Sequence, residues 1–274
     1  MAVMRLWYQY PAPLSPFRTV VFDLVRQAID LARRPDTEVV VQPTRRGAKS
    51  TGLYAYELVG LLTALEIVER LREAETEGYD GAIVGQSLDP GLDVAKELLD
   101  LPVVGLLESA AHVAAMWGDR IGVVTIPPPA GVPAAKYQQY HRRNLERYGV
   151  GSKLAGFDYV RMPLADLTAR IQSGDHDEIV QRFHAAAERL HERGADVVIA
   201  GDTIISVVLV HERALRVPST GQAIVDLIGC GIKMAETMVD LRRAYGVVRS
   251  RGGGYARPSE EELRAIAESF PAEP

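Results

Sequence analysis

Two stretches of this chain, far apart in the sequence, repeat one pattern, and that repeat limits the folds open to it. Gly-Tyr-Asp-Gly-Ala-Ile-Val-Gly (78–85) and Gly-Ala-Asp-Val-Val-Ile-Ala-Gly (194–201) both run from a glycine past an aspartate into an apolar strand and out through a second glycine. A polar turn follows each: Gln86-Ser87-Leu88-Asp89-Pro90-Gly91 in the first, Asp202-Thr203 in the second. Each turn leads into a helix. A buried strand feeding a helix through a short polar turn is the unit of a parallel sheet covered by helices. Its duplication predicts two such sheets.

The rest of the chain fits that frame. Apolar runs of strand length alternate with amphipathic stretches. Strands are expected at Met4–Tyr8, Thr37–Val41, Ala82–Val84 and Val103–Leu106, then at Ile121–Thr125, Gly156–Val160, Asp196–Ala200 and Leu215–Val217. Helices are expected over Phe17–Arg34, Tyr54–Gly78, Pro90–Leu99, Ser109–Trp117, Ala134–Tyr148, Ala165–Ser173, Asp177–Arg193, Thr203–Ala214 and Gln222–Tyr245. A loose stretch follows from Arg249 through Gly252–Gly254. A last helix over Ser259–Phe270 has Ser259 as its N-cap and acids in its first turn. The expected class is α/β, with two similar parallel-sheet subdomains. Residues 1–117 with 219–274 form one and residues 118–218 the other, inserted one.

Composition removes several functions. With 274 residues, 47% hydrophobic and 24% charged, the chain is globular rather than disordered. Its net charge of −5 argues against nucleic acid, which requires a basic face. Arg45, Arg46 and Lys49 form one small basic cluster that reads as solvated surface. No apolar run reaches bilayer length and no signal-peptide core opens the chain. One cysteine, Cys230, gives no internal disulfide. No membrane association is expected, and the cytoplasm is the expected location.

Open parallel sheets bind ligands at the carboxyl ends of their strands. Asp202 lies there, either as a simple N-cap or as a general acid/base whose pKa is raised by burial and lowered by the helix N-terminus. Thr203 beside it offers a hydroxyl. Gln86 and Ser87 end the first repeat; Gln86 has hydrogen-bonding groups but no titratable one. Asp89 before Pro90 reads as a cap at the start of its own helix. Glu108 opens another helix, and Tyr8, Gln9 and Thr125 end strands. Ser219 and Thr220 are expected to open a helix, either as simple caps or as a cradle for a carboxylate. His112 and His211 have no second His or Cys at ligand spacing, so no metal site is expected. No dinucleotide fingerprint or P-loop appears, so no cofactor is expected.

The series Gly78–Val84, Asp89-Pro90-Gly91-Leu92-Asp93, Leu101-Pro102-Val103-Val104-Gly105 and Glu108-Ser109-Ala110-Ala111 resembles the aspartate/glutamate/hydantoin racemase superfamily, the hydantoin racemase branch above all. Ile121–Thr125, Gly194–Gly201 and Val217-Pro218 continue the likeness. It implies two subdomains about a pseudo-twofold axis, with the active site in the cleft between them. It also implies a small carboxylate or hydantoin-like substrate, and family members are often homo-oligomers. Racemases of this kind use a cysteine in each turn to remove and return a proton beside a carbonyl. Here Gln86 and Asp202 stand in those places. The resemblance then leaves Asp202 as acid/base, with Glu108 a second catalytic candidate. Tyr8, Gln9, Gln86, Ser87, Thr125, Thr203, Ser219 and Thr220 would hold substrate. The expected activity is isomerase-like. A lyase, decarboxylase or cyclic-amide hydrolase, or a binder without chemistry, are the alternatives.

Overall fold

A computed structural model describes residues 3–270. Two four-stranded sheets, parallel throughout, form its framework. The first contains β1 (Met4–Tyr10), β2 (Thr37–Pro43), β3 (Gly81–Val84) and β4 (Val103–Gly105), in the order β2-β1-β3-β4. The second contains β5 (Ile121–Thr125), β6 (Leu154–Tyr159), β7 (Val197–Ala200) and β8 (Ala223–Val225), in the order β6-β5-β7-β8. The two sheets are therefore wound identically. In each, the chain leaves the opening strand to one side and returns on the other. That reversal places a crevice at the strand carboxyl ends, between β1 and β3 and between β5 and β7.

The connecting helices are α1 (Pro16–Ala32), α2 (Glu57–Thr76), α3 (Leu92–Leu98), α4 (Leu106–Trp117), α5 (Ala134–Arg147), α6 (Leu164–Ser173), α7 (Asp177–Glu192), α8 (Thr203–His211), α9 (Leu227–Tyr245) and α10 (Glu260–Ser269). A 3-10 turn over Thr51–Ala55 precedes α2, so the single long helix expected from Tyr54 is broken at Tyr56, which is extended. The second lobe returns to the first through α9, which packs on α4, α1 and β3. One apolar core runs through both lobes, and a second lies under α2 and α3 around Trp7, Ile67 and Leu71.

Four expectations need correction. Residues 223–225 form β8, not helix. The pairing of Val197–Ile199 with Ala223–Val225 claims them, and α9 starts only at Leu227. Leu215–Val217 is no ladder strand; Arg216 makes one antiparallel bridge to Ala223. Because β8 belongs to the second sheet, we assign the end of the inserted subdomain to Val225 rather than 218. The stretch from Arg249 is strapped down. Arg249 and Arg251 donate to the Leu99 carbonyl at 3.2 and 2.7 Å, satisfying backbone at the end of α3.

Candidate functional site

The cleft lies where the winding places it. Tyr10, Pro11 and Ala12 follow β1; Gln86, Ser87 and Leu88 follow β3; Ile126 follows β5; Asp202, Thr203 and Ile204 follow β7. Together with residues from α1, α5 and the 3-10 turn they line a cavity of about 80 Å³, open to solvent. Both turns need a glycine to pass the neighbouring strand. A Cβ on Gly85 would sit 2.3 Å from the Tyr8 ring, and one on Gly201 2.5 Å from Val123 Cγ1.

Asp202 caps α8, its Oδ1 accepting from Ile204 N at 2.8 Å. Capping and facing the cleft therefore coexist in one carboxylate. The side chain is 9% exposed, and burial pushes its pKa up to about 6 against the opposing bonds from Ile204 and Ile205 N–H. The carbonyl of Gly201, just before it, accepts at 2.8 Å from Nε2 of the buried His141 on α5. A carbonyl only accepts, so Nε2 carries the hydrogen. Burial lowers the His141 pKa, keeping the ring neutral. His141 thus fixes the backbone from which Asp202 projects. Thr203 Oγ1 is buried, lacks a protein partner, and belongs to a cleft-lining residue.

On the facing wall, Gln86 Oε1 accepts from Leu88 N at 2.6 Å and shapes the turn, with Ser87 beside it. Leu88 O accepts from Asn144 Nδ2 of α5 at 2.7 Å, linking the lobes. Of the expected site residues, Asp202, Thr203, Gln86 and Ser87 come together here.

The others do not line the cleft. Tyr8 is fully buried against the backbone of the first turn. Gln9 serves the core: its side chain accepts from Trp7 Nε1 at 2.9 Å and donates to Tyr10 O and Gln42 O. Thr125 is buried beneath the cleft floor. Glu108 accepts from Gly105 N at 3.3 Å and pairs with Lys96, beside a separate hollow that also includes His112 and Tyr255. Ser219 and Thr220 precede β8, so they occupy the amino-terminal edge of the second sheet, opposite the cleft. Ser219 donates to Glu188, and Thr220 bonds Gln222 at 3.1 Å.

Asp89 also departs from expectation. It adopts φ +49°, and α3 begins later, at Leu92, with Gly91 as its cap. Its carboxylate instead caps α4, whose own N-cap, Gly105, has no side chain to offer. Oδ1 and Oδ2 accept from Leu107 N and Glu108 N at 3.1 and 2.8 Å, and Tyr148 OH donates at 2.7 Å. Folding also brings His176 beside His211 and Glu212. His176 Nδ1 and Glu212 share a bond of 2.7 Å, and Gln27 holds His211 at 2.9 Å, so protein groups satisfy those atoms. Cys230 is buried in α9, away from the cleft lining, its thiol pKa raised by burial.

Among the cleft residues that the sequence did not mark as site candidates are Arg18, Tyr10, Tyr54 and Tyr137. Tyr10 falls two residues past the expected strand end, and burial raises its pKa. Tyr54 OH donates to Pro11 O at 3.0 Å. Tyr137 is raised by burial and then by Asp202, which places it near that carboxylate. Arg18 interrupts the apolar stripe of α1, the one signal that marks it.

The family model described as Asp/Glu/Hydantoin racemase matches residues 20–235. A hydantoin racemase of Pseudomonas sp. (strain NS671) is 25% identical over 255 residues, covering 90% of each chain. One from Paenarthrobacter aurescens is 25% identical over 202 residues, 73% of this chain and 78% of the other. Among solved structures, allantoin racemase from Klebsiella pneumoniae superposes with TM-score 0.73 at 23% identity, covering 94% of both chains. Allantoin racemase from Pseudomonas fluorescens gives 0.74 at 22% identity, over 93% of this chain and 97% of that one.

Proposed function

The chain belongs to the Asp/Glu/hydantoin racemase family, and from that premise we propose that it moves a proton at a carbon next to a carbonyl, with Asp202 as acid/base. One observation carries this reading. Asp202 is the single carboxylate among the described cleft-lining residues, and burial lifts its pKa to about 6, toward neutral pH. A base poised near the working pH combines adequate strength with the right protonation state. Proton removal puts charge on the neighbouring carbonyl oxygen, and fixed donors aimed at that oxygen supply much of such catalysis. Thr203 Oγ1, Ser87 and the Gln86 amide are the donors nearest this role. The hydantoin racemase relatives support a cyclic ureide as substrate, and the Asp/Glu of the family's description supports a small carboxylate.

A second reading has its own support. The wall facing Asp202 carries Gln86 and Ser87, neither a base at neutral pH. Chemistry completed on one face, as in a lyase, decarboxylase or cyclic-amide hydrolase, needs no second titrating group. The deciding experiment follows proton–deuterium exchange at the carbon acid of candidate ureides in deuterated water. Exchange with inversion supports the isomerase and exchange without inversion the one-faced reading. No exchange by the wild type, or undiminished exchange by Asp202→Asn, overturns the role of Asp202.

The partner reading is a homo-oligomer. Leu58, Leu61, Leu62 and Leu65 on α2 are 66, 61, 56 and 56% exposed, a solvent-facing apolar stripe. Their spacing is self-complementary. In an antiparallel pair of α2 helices Leu58 meets Leu65 of the second copy and Leu61 meets Leu62, as a twofold interface requires. Light scattering of Leu61→Glu/Leu62→Glu should give a smaller particle than wild type; equal masses would remove this face from the assembly.

A further inference from the structure

We propose that the cleft takes its substrate as an anion, with the guanidinium of Arg18 as the carboxylate-binding group. This rests on the reading of the cleft as the active site and names the substrate class for it. Arg18 lines the cleft and is 9% exposed. Among the described residues no carboxylate lies within ion-pair distance of it. A buried cation without a counter-charge is costly, because bonds to neutral carbonyls offset only part of its desolvation.

Its placement adds to the cost. Arg18 is the third residue of α1, after Ser15 as N-cap and Pro16, and no acid occupies that first turn. Side chains lean toward the helix amino terminus, so the guanidinium sits at the positive end of the helix dipole, where a cation is disfavoured. Position and burial both call for a negative charge that the protein itself does not supply. Asp202 does not supply it either: it lies outside ion-pair distance of Arg18, and its first bond is to its own helix.

The guanidinium is also held ready. Nη1 donates to Pro13 O at 3.2 Å and Nη2 to Ala48 O, fixing the fork between the segments after β1 and before the 3-10 turn. Among the described residues Nε has no hydrogen-bond partner, and it is not sealed from solvent, unlike Nε of Arg34 and Arg70. A planar group held by two carbonyls, with further N–H bonds free, suits bidentate recognition of a carboxylate. Its field reaches Tyr54 and Tyr10, where it opposes the upward push of burial on both phenols.

The test uses a matched pair of probes, hydantoin-5-acetate and 5-methylhydantoin, which share a ring and differ in the carboxylate. Binding is read by calorimetry on the full chain, with malonate as a ring-free anion. Wild type should bind the acetate at least tenfold more tightly than the methyl compound, and should bind malonate. Arg18→Gln should erase both effects. Arg18→Lys should recover part of the preference, since it restores charge without the fork. Melting temperatures of both variants separate loss of the anion site from loss of the Pro13 and Ala48 tethers. Asp202→Asn should keep the acetate preference. If that variant loses exchange but keeps the preference, both readings stand; if exchange never depended on Asp202 while the preference remains, only the anion site stands. Equal affinity for the two ring probes, failure of wild type to bind any carboxylate, or a preference that survives in well-folded Arg18→Gln overturns the proposal.

Discussion

The two polar turns carry aspartates that match in burial and acidity yet differ in what they can do. Asp89 is 2% exposed and Asp202 9%, and burial pushes each up to about pH 6. Asp89 is occupied: Leu107 N, Glu108 N and Tyr148 OH all donate to it, and it does not line the cleft. Asp202 is bonded only at its own helix start, by Ile204 N and Ile205 N, and faces the open space. A raised pKa therefore does not identify a working group. The lone pairs left free, and where they point, decide that.

The largest expected effect separates the two directly. Asp202→Asn should lower exchange or turnover by about 10²–10⁴-fold, the usual worth of general acid–base catalysis. Wild-type kcat/KM should rise with pH and level off above about 6, because the base must be ionised, and that limb should vanish in the variant. A matching limb in Asp202→Asn that disappears in Asp89→Asn would reverse the assignment.

Stability should show the opposite ranking. Asp89→Ala strands two backbone N–H groups and a buried phenol, at about 1–3 kcal/mol for each unsatisfied group. Denaturant unfolding should register this loss, while the cleft chemistry of the folded fraction changes little. The pH dependence sharpens the contrast. Folded Asp202 holds its proton up to about pH 6, whereas an unfolded aspartate releases it near pH 4. Between those values the native state binds more protons, so stability falls as pH rises. Asp202→Asn should flatten that fall by on the order of 2–3 kcal/mol, leaving the comparable share of Asp89. A slope unchanged in Asp202→Asn would show that its carboxyl is ordinary in acidity.

The smallest effect belongs to Gln86. Gln86→Ala removes the acceptor for Leu88 N, worth about 1 kcal/mol, and one cleft amide. A loss of activity below about tenfold is expected from steady-state kinetics. A loss equal to that of Asp202→Asn would make the first turn a full partner in the chemistry.

Much of the frame was legible because buried parallel strands write themselves as apolar runs. Ile121–Thr125 falls where expected, and Asp202 was readable as the residue between a buried strand and an apolar helix. The misses have physical causes. Ala223–Val225 is three residues long and merges with the apolar spacing of α9; only its partner β7 defines it as strand. Asp89 looks like a local cap, but α4 begins on a glycine and takes the carboxylate across the fold. Ser219 and Thr220 carry suitable hydroxyls at the wrong edge of the sheet, a fact set by the direction of β8. Arg18 was hidden within an apolar helix face, where charge is normally read as solvated. Local pattern fixes elements; which side chains share a space depends on winding order.

The bonds from α5 to the first turn carry one further consequence. Asn144 to Leu88 O and Tyr148 to Asp89 stitch the second lobe to the rim of the first. Swinging the lobes apart along that seam would break both crossing bonds and take from the buried Asp89 carboxylate one of its three donors. The seam therefore behaves as a hinge pin rather than a mouth. On the side of the 3-10 turn the ties are lighter: Tyr54 holds Pro11 and Tyr140 holds Ala55 by single phenolic hydrogens.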